Sequence, residues 1–179
     1  MNTDLPSLLP MILARVPLWV PALLISLIIV GLLLRREREA RPAVLLLVSL
    51  AMSAYSLASV MLAFAGHGLA LLAWMAGTLI AIGLAFGPLA PRGLRAVAAG
   101  RRVHMPASWT PMALILGIFG VRFALGLAAG LGMPVTAASP WAGVAACMLG
   151  IFGGGFVARA LVAWRVARRF ARPAIVLAA

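Results

Sequence analysis

The sequence predicts an all-α fold, a polytopic transmembrane helical bundle of five spans with the N-terminus outside and the C-terminus inside. Three observations predict it. Five apolar runs cover about 18–34, 42–65, 69–86, 111–131 and 141–162, each of roughly the 20 helical residues that cross a bilayer core. Hydrophobic residues make up 65% of the chain and charged ones 10%, with a mean hydropathy of +1.14. That composition excludes an ordinary water-soluble domain. The arginines, finally, fall in alternate loops. At 179 residues, a single membrane domain spanning 1–179 takes nearly the whole chain and leaves no room for a separate soluble domain.

The charges set the topology. All fifteen basic residues are arginine, the acids are only Asp4, Glu37 and Glu39, and the net charge is +12. Arg35, Arg36, Arg38 and Arg41 lie between runs one and two, and Arg92, Arg95, Arg101 and Arg102 between runs three and four. Arg165, Arg168, Arg169 and Arg172 follow run five, whereas 66–68 and 132–140 carry no basic residue. Positive residues stay on the cytoplasmic side, so one assignment satisfies every loop. The same charge in a soluble protein would suggest nucleic acid, but the arginines lack a reading module or interleaved aromatics.

The elements follow in order. Residues before Pro17 are short and proline-broken, and 8–13 suits the outer interface. Run one has no basic leader and no small-x-small cleavage site, so it reads as a signal anchor. The loop 35–41 is too short to do more than turn, with Glu37 and Glu39 softening repulsion among its arginines. Gly66–Gly68 makes spans two and three a tight hairpin. The longest connection, the cytoplasmic loop 87–110, holds Arg95–Ala98 and Arg102–Met105 on either side of Ala99-Gly100-Arg101, the pattern of a small β-hairpin. Pro111 suits the first turn of span four. Trp19, Trp109, Trp141 and Trp164 sit at run ends, at headgroup level, and Trp74 lies deeper as a packing residue. After span five, in the basic tail 163–179, the spacing of Arg165, Arg168, Arg169 and Arg172 forms one basic helical face. Such a face suits an anionic inner leaflet or plain positive-inside anchoring, and Pro173 should end it.

Small residues mark contact faces. Ala73, Gly77, Ala81 and Ala85 repeat on span three; Gly126 and Gly130 on span four; Gly143, Cys147, Gly150, Gly154 and Ala158 on span five. These stripes either pack the bundle internally or meet a second copy. Ser49, Ser53 and Ser56 form a narrow polar stripe on span two with Ser59 at its margin. They either line a wet path or bond helix carbonyls.

Arg122 is the expensive residue. It lies roughly 16 Å into span four at 1.5 Å per residue, near the midplane, where an arginine costs about 2.5–3.5 kcal/mol on insertion scales. No span holds an acid to pair with it. It shares a stripe with Gly126 and Gly130 and should point into the bundle. Its partners are then carbonyls, hydroxyls such as the span-two serines, water, or an anionic ligand, lipid phosphate or acidic residue of another chain.

Other chemistry is not signalled. His67 and His104 fall on opposite faces under this topology, Cys147 is alone, the methionines are scattered, and the only acids are outside the spans. Metal, cofactor and catalytic residues are each expected to be none.

The second half resembles a family of bacterial inner-membrane proteins defined by a domain of unknown function. The residues that carry the resemblance are Pro106-Ala107-Ser108-Trp109, then Arg122-Phe123 with Gly126, then Gly154-Gly155-Phe156-Val157-Ala158-Arg159-Ala160-Leu161. The family pattern has glycine at Ala107, departs at Ala158 and more often has lysine at Arg122. The resemblance implies a multi-pass inner-membrane protein with no assigned reaction, and draws attention to Ser108, Trp109 and Arg122 as a set. The reading is a non-enzymatic membrane component, self-associating or an accessory subunit of a complex, with the bilayer, cytoplasmic-face anionic lipids and a second copy or membrane subunit as partners. The alternative is a small transporter or channel for an anionic solute or lipid using Arg122, with Ser49, Ser53 and Ser56 as its polar lining.

Overall fold

The computed structural model describes residues 19–64, 68–87, 91, 93–97, 101–130 and 140–171. Five helices account for most of them: α1 (Trp19–Arg35), α2 (Pro42–Ala63), α3 (Gly68–Phe86), α4 (Thr110–Gly130) and α5 (Pro140–Ala171). Leucine is the commonest residue of α1 and α2 and alanine of α5, and proline opens three of the five. Pro42 and Pro140 head α2 and α5, and Pro111 stands in the first turn of α4, where the missing N–H costs nothing. Arg41, before Pro42, is extended at φ −74° and ψ 128°, as the proline ring requires of its predecessor. The span-two–span-three turn expected at Gly66–Gly68 and His67 lies largely outside the described residues; α3 begins at Gly68.

Four helices are long and apolar enough to cross a membrane: α2, α3, α4, and α5 over Pro140–Arg169. α1 is apolar but shorter, at 17 residues, the lower end of what a span requires. At 32 residues, α5 is about 48 Å long, well beyond a hydrocarbon core. The basic segment expected after span five is therefore its continuation as far as Ala171.

Packing centres on α5, which contacts α2, α3 and α4, while α1 lies against α4. The main core joins Val60 and Phe64 to Ala70, Ile118, Ala142, Ala146 and Leu149. The closest approach is between α3 and α5. A β-carbon on Gly150 would overlap the Trp74 carbonyl, and one on Gly77 the Cys147 carbonyl; one on Gly154 would stand 2.8 Å from Thr78 Cα. Small residues let these two backbones meet, which matters where apolar side chains gain little by leaving lipid. Outward, α2 and α3 present Leu47, Leu50, Leu62, Leu69, Leu72 and Leu79. Apolar exposure on that scale marks a surface solvated by something other than water.

The fold is not purely helical. Strands β1 (Arg38–Ala40), β2 (Arg95–Val97) and β3 (Arg102–Met105) form an antiparallel sheet in the order β1-β3-β2. The two strands expected on either side of Ala99-Gly100 pair antiparallel, with Ala96 opposite Val103, and the Ala99-Gly100 turn itself lies outside the described residues. The first loop, expected only to turn, instead supplies β1, with Glu39 opposite His104. Its ladder comes from β3, far away in sequence, and the triplet Arg-Glu-Ala carries no strand signal of its own. Val103 and Met105 are buried, in alternation with Arg102 and His104. Val103, fully buried, packs on Ala163 and Ala167 of α5. The glutamates also reach across the sheet: Glu39 lies 3.5 Å from Arg102 and Glu37 4.0 Å from His104. Through this sheet the segments 38–40, 95–97, 102–105 and 163–167 gather at one end of the bundle.

Candidate intramembrane polar site

The polar side chains of the helices form a connected system between α2, α3, α4 and α5. Ser56 is fully buried, and its hydroxyl donates to the Leu149 carbonyl of α5 at 2.8 Å. The same oxygen accepts the Trp74 Nε1–H at 3.1 Å, so one serine ties α2 to both α3 and α5. One turn along α3 from Trp74, the Thr78 hydroxyl lies 3.0 Å from the Trp74 carbonyl and 3.3 Å from the Gly150 carbonyl. It faces the place where the missing Gly150 side chain lets α3 and α5 touch. A buried donor left unmade costs about 1–3 kcal/mol, so these bonds lock the three helices in register.

Ser59, one turn beyond Ser56, donates to the Tyr55 carbonyl at 2.6 Å. It accepts Nη1 of Arg122 from α4. The Arg122 guanidinium also stands 5.0 Å from the centre of the Tyr55 ring, within cation–π range. Arg122 thus spans from α4 to α2 through a hydroxyl and an aromatic face. It is exposed in the isolated chain, and so is Tyr55. The expectation of hydroxyl contact is met by Ser59. Ser49 is buried and Ser53 half-buried on the same helix, but they do not join Arg122.

The stripe that was to carry Arg122 inward is arranged differently. Gly126 and Gly130 are exposed, and a β-carbon on either would meet nothing within 4 Å. Beyond its first residue, the exposed positions of α4 are Arg122 and the small residues Ala113, Gly120, Ala124, Gly126, Ala129 and Gly130. The exposed positions of α1, α2 and α3 include many large aliphatic side chains. Gly150 and Gly154, by contrast, are buried against α3.

At the sheet end, the Ser108 hydroxyl caps α4, accepting the Thr110 N–H at 3.2 Å. Trp109 lies under the Arg35 guanidinium, 4.0 Å from ring centre to Cζ. Ser108 and Trp109 precede α4, whose start at Thr110 is about 18 Å of helical rise from Arg122 at 1.5 Å per residue, and the set suggested by sequence is not one site. Arg165 covers the Phe86 ring at 4.9 Å and Arg168 the Trp164 ring at 3.9 Å. Arg169 is exposed, and Arg172 lies outside the described residues. Sequence reasoning placed Trp74 as a packing residue, as it is, but missed its bond to Ser56 and the parts played by Tyr55 and Thr78. The signals were present as the four-residue spacings Tyr55–Ser59 and Trp74–Thr78.

A mostly helical chain with four membrane-length apolar helices and a buried polar seam is compatible with an integral membrane protein. The chain belongs to a family of unknown function, DUF6622, whose model matches residues 1–174, in agreement with the resemblance carried by its second half. No curated protein and no solved structure gave a match.

Proposed function

We propose that the protein is a non-enzymatic, multi-pass component of a bacterial inner membrane, an accessory subunit that docks a partner's helix on α4 through Arg122. The observation that carries the reading is the state of Arg122: exposed on an apolar helix and held, among the described residues, by the Ser59 hydroxyl and the Tyr55 ring. The chain's acids, Asp4, Glu37 and Glu39, are all outside its apolar runs, so a second copy offers no carboxylate at that depth, whereas a different subunit can. The small exposed residues of α4 support the same reading, because small residues suit helix contact and large aliphatics suit lipid. Self-association through these residues, without pairing of Arg122, is the variant of this reading. The alternative, an anionic solute or lipid handled at Arg122, rests on the same uncompensated charge.

Cross-linking in native membranes separates them. With a photoactivatable benzoylphenylalanine placed at Gly126, which inserts into neighbouring C–H bonds, irradiation should give a covalent adduct heavier than the chain and different from twice its mass. An adduct of twice the mass identifies self-association. No adduct, with a phosphate- or carboxylate-dependent thermal shift lost in Arg122→Leu, points to the anion alternative and sinks the docking role.

The proposed topology has five spans, N-terminus outside, with the sheet and the arginine-rich ends in the cytoplasm. Gathering of those segments at one end supports it. Reporter fusions after Ala65 and near Ala137 should read periplasmic, and those near Ala40, Ala99 and Ala179 cytoplasmic. A cytoplasmic signal at Ala137 overturns the arrangement.

A further inference from the structure

At the sheet end of the bundle, Arg159 is half-buried and, among the described residues, has no carboxylate partner. Arg159, half-buried on α5, donates from Nη1 to the Ser108 hydroxyl at 3.3 Å. That oxygen is neutral and already engaged, accepting the Thr110 N–H and lying 2.9 Å from the Thr110 hydroxyl. The Ser108 loop is fixed in place by its own N–H, which donates to the Arg35 carbonyl at 3.3 Å. Arg38 of β1 lies near enough to repel Arg159. Both glutamates of this end are directed elsewhere, Glu39 to Arg102 and Glu37 to His104. Among the described residues, Arg159 therefore reaches the start of α4 through a neutral hydroxyl, β1 runs beside that loop with Arg38 opposite Met105, and neither arginine is paired with a carboxylate. Planar guanidinium forks match the oxygens of a phosphate, and a helix N-terminus favours the same charge.

We propose that Arg159 and Arg38, with the Ser108 hydroxyl, bind a phosphate group at the sheet end of the bundle, presented by an anionic lipid headgroup or by a soluble phosphate compound. The bound group offsets the repulsion between the two arginines and joins α5, β1 and the start of α4. This differs from Arg165 and Arg168, which are exposed and lie over aromatic rings. Those form a diffuse charged surface, whereas Arg159 is half-buried and held in one place.

The test uses the full chain in neutral detergent after passage through nanodiscs of mixed phosphatidylglycerol and phosphatidylcholine. Native mass spectrometry reads retained lipid. A parallel thermal melt compares inorganic phosphate with chloride at matched ionic strength. Wild type should retain phosphatidylglycerol over phosphatidylcholine, or show a phosphate-dependent rise in melting temperature; the first result assigns the group to lipid and the second to a soluble compound. Arg159→Gln and Arg38→Gln should each weaken that response about tenfold or more, as loss of a charge-assisted bond implies. Arg159→Lys should restore part of it, and Arg95→Gln, an exposed position on the strand farthest from β1, should leave it nearly unchanged. Arg38 is exposed, so Arg38→Gln carries the test if Arg159→Gln does not fold. Neither response in wild type, or equal responses in wild type and both glutamine variants, overturns the proposal.

Discussion

Replacing Gly150 with alanine should loosen α3 from α5 and destabilise the bundle by about 1–3 kcal/mol, the usual cost of forcing a methyl group into a filled contact. The new carbon would overlap the Trp74 carbonyl, which is backbone and cannot swing aside. Separating the helices would also stretch the bond from Thr78 to the Gly150 carbonyl and strain the Ser56 link to Trp74. The effect should therefore reach the upper part of that range or exceed it. Gly143→Ala is the matched control on the same helix, because its β-carbon would meet nothing within 4 Å. Melting temperatures in one detergent should fall for Gly150→Ala and stay level for Gly143→Ala. Equal melting of the two variants contradicts the close contact.

Arg122→Leu should move stability and association in opposite directions. The guanidinium gains from Tyr55 roughly 0.5–2 kcal/mol at most, depending on how dry the contact is, and a modest further amount from Ser59. Its insertion cost near the helix centre is about 2.5–3.5 kcal/mol. The cost is the larger, so leucine should leave the isolated chain equally or more stable, as removing an uncompensated charge often does. Under the docking account the same change removes the cation that a partner carboxylate pairs with. A residue that weakens its own chain yet holds a complex together is the behaviour expected of an interface, and thermal melts beside co-purification read both signs. Loss of folding in Arg122→Leu would assign the residue a structural role instead.

The helices were legible because apolar run length and proline position are local signals. Pro42, Pro111 and Pro140 mark helix starts directly, and Ala99-Gly100 marks the hairpin. The small-residue repeat of Gly77 with Gly150 was visible as a contact face, though not which helix it meets. β1 was not legible, since Arg38–Ala40 owes its conformation to β3 rather than to its own residues. Nor was the placement of Arg122. Sharing a stripe with Gly126 and Gly130 suggested burial, but a stripe fixes only relative direction, and here the glycines face outward while the long guanidinium stem reaches sideways to Ser59. In the sequence Arg159 stood out only within the Gly154–Leu161 resemblance. Only the chain fold brings Ser108 and Arg38 to it.

The most direct test of the docking account is native mass spectrometry of gently extracted protein, wild type beside Arg122→Leu. The account predicts a wild-type species heavier than one chain that contains a second, different polypeptide, and a folded, solitary chain for Arg122→Leu. Identical species for the two proteins, whether both solitary or both bound to the same partner, would contradict it.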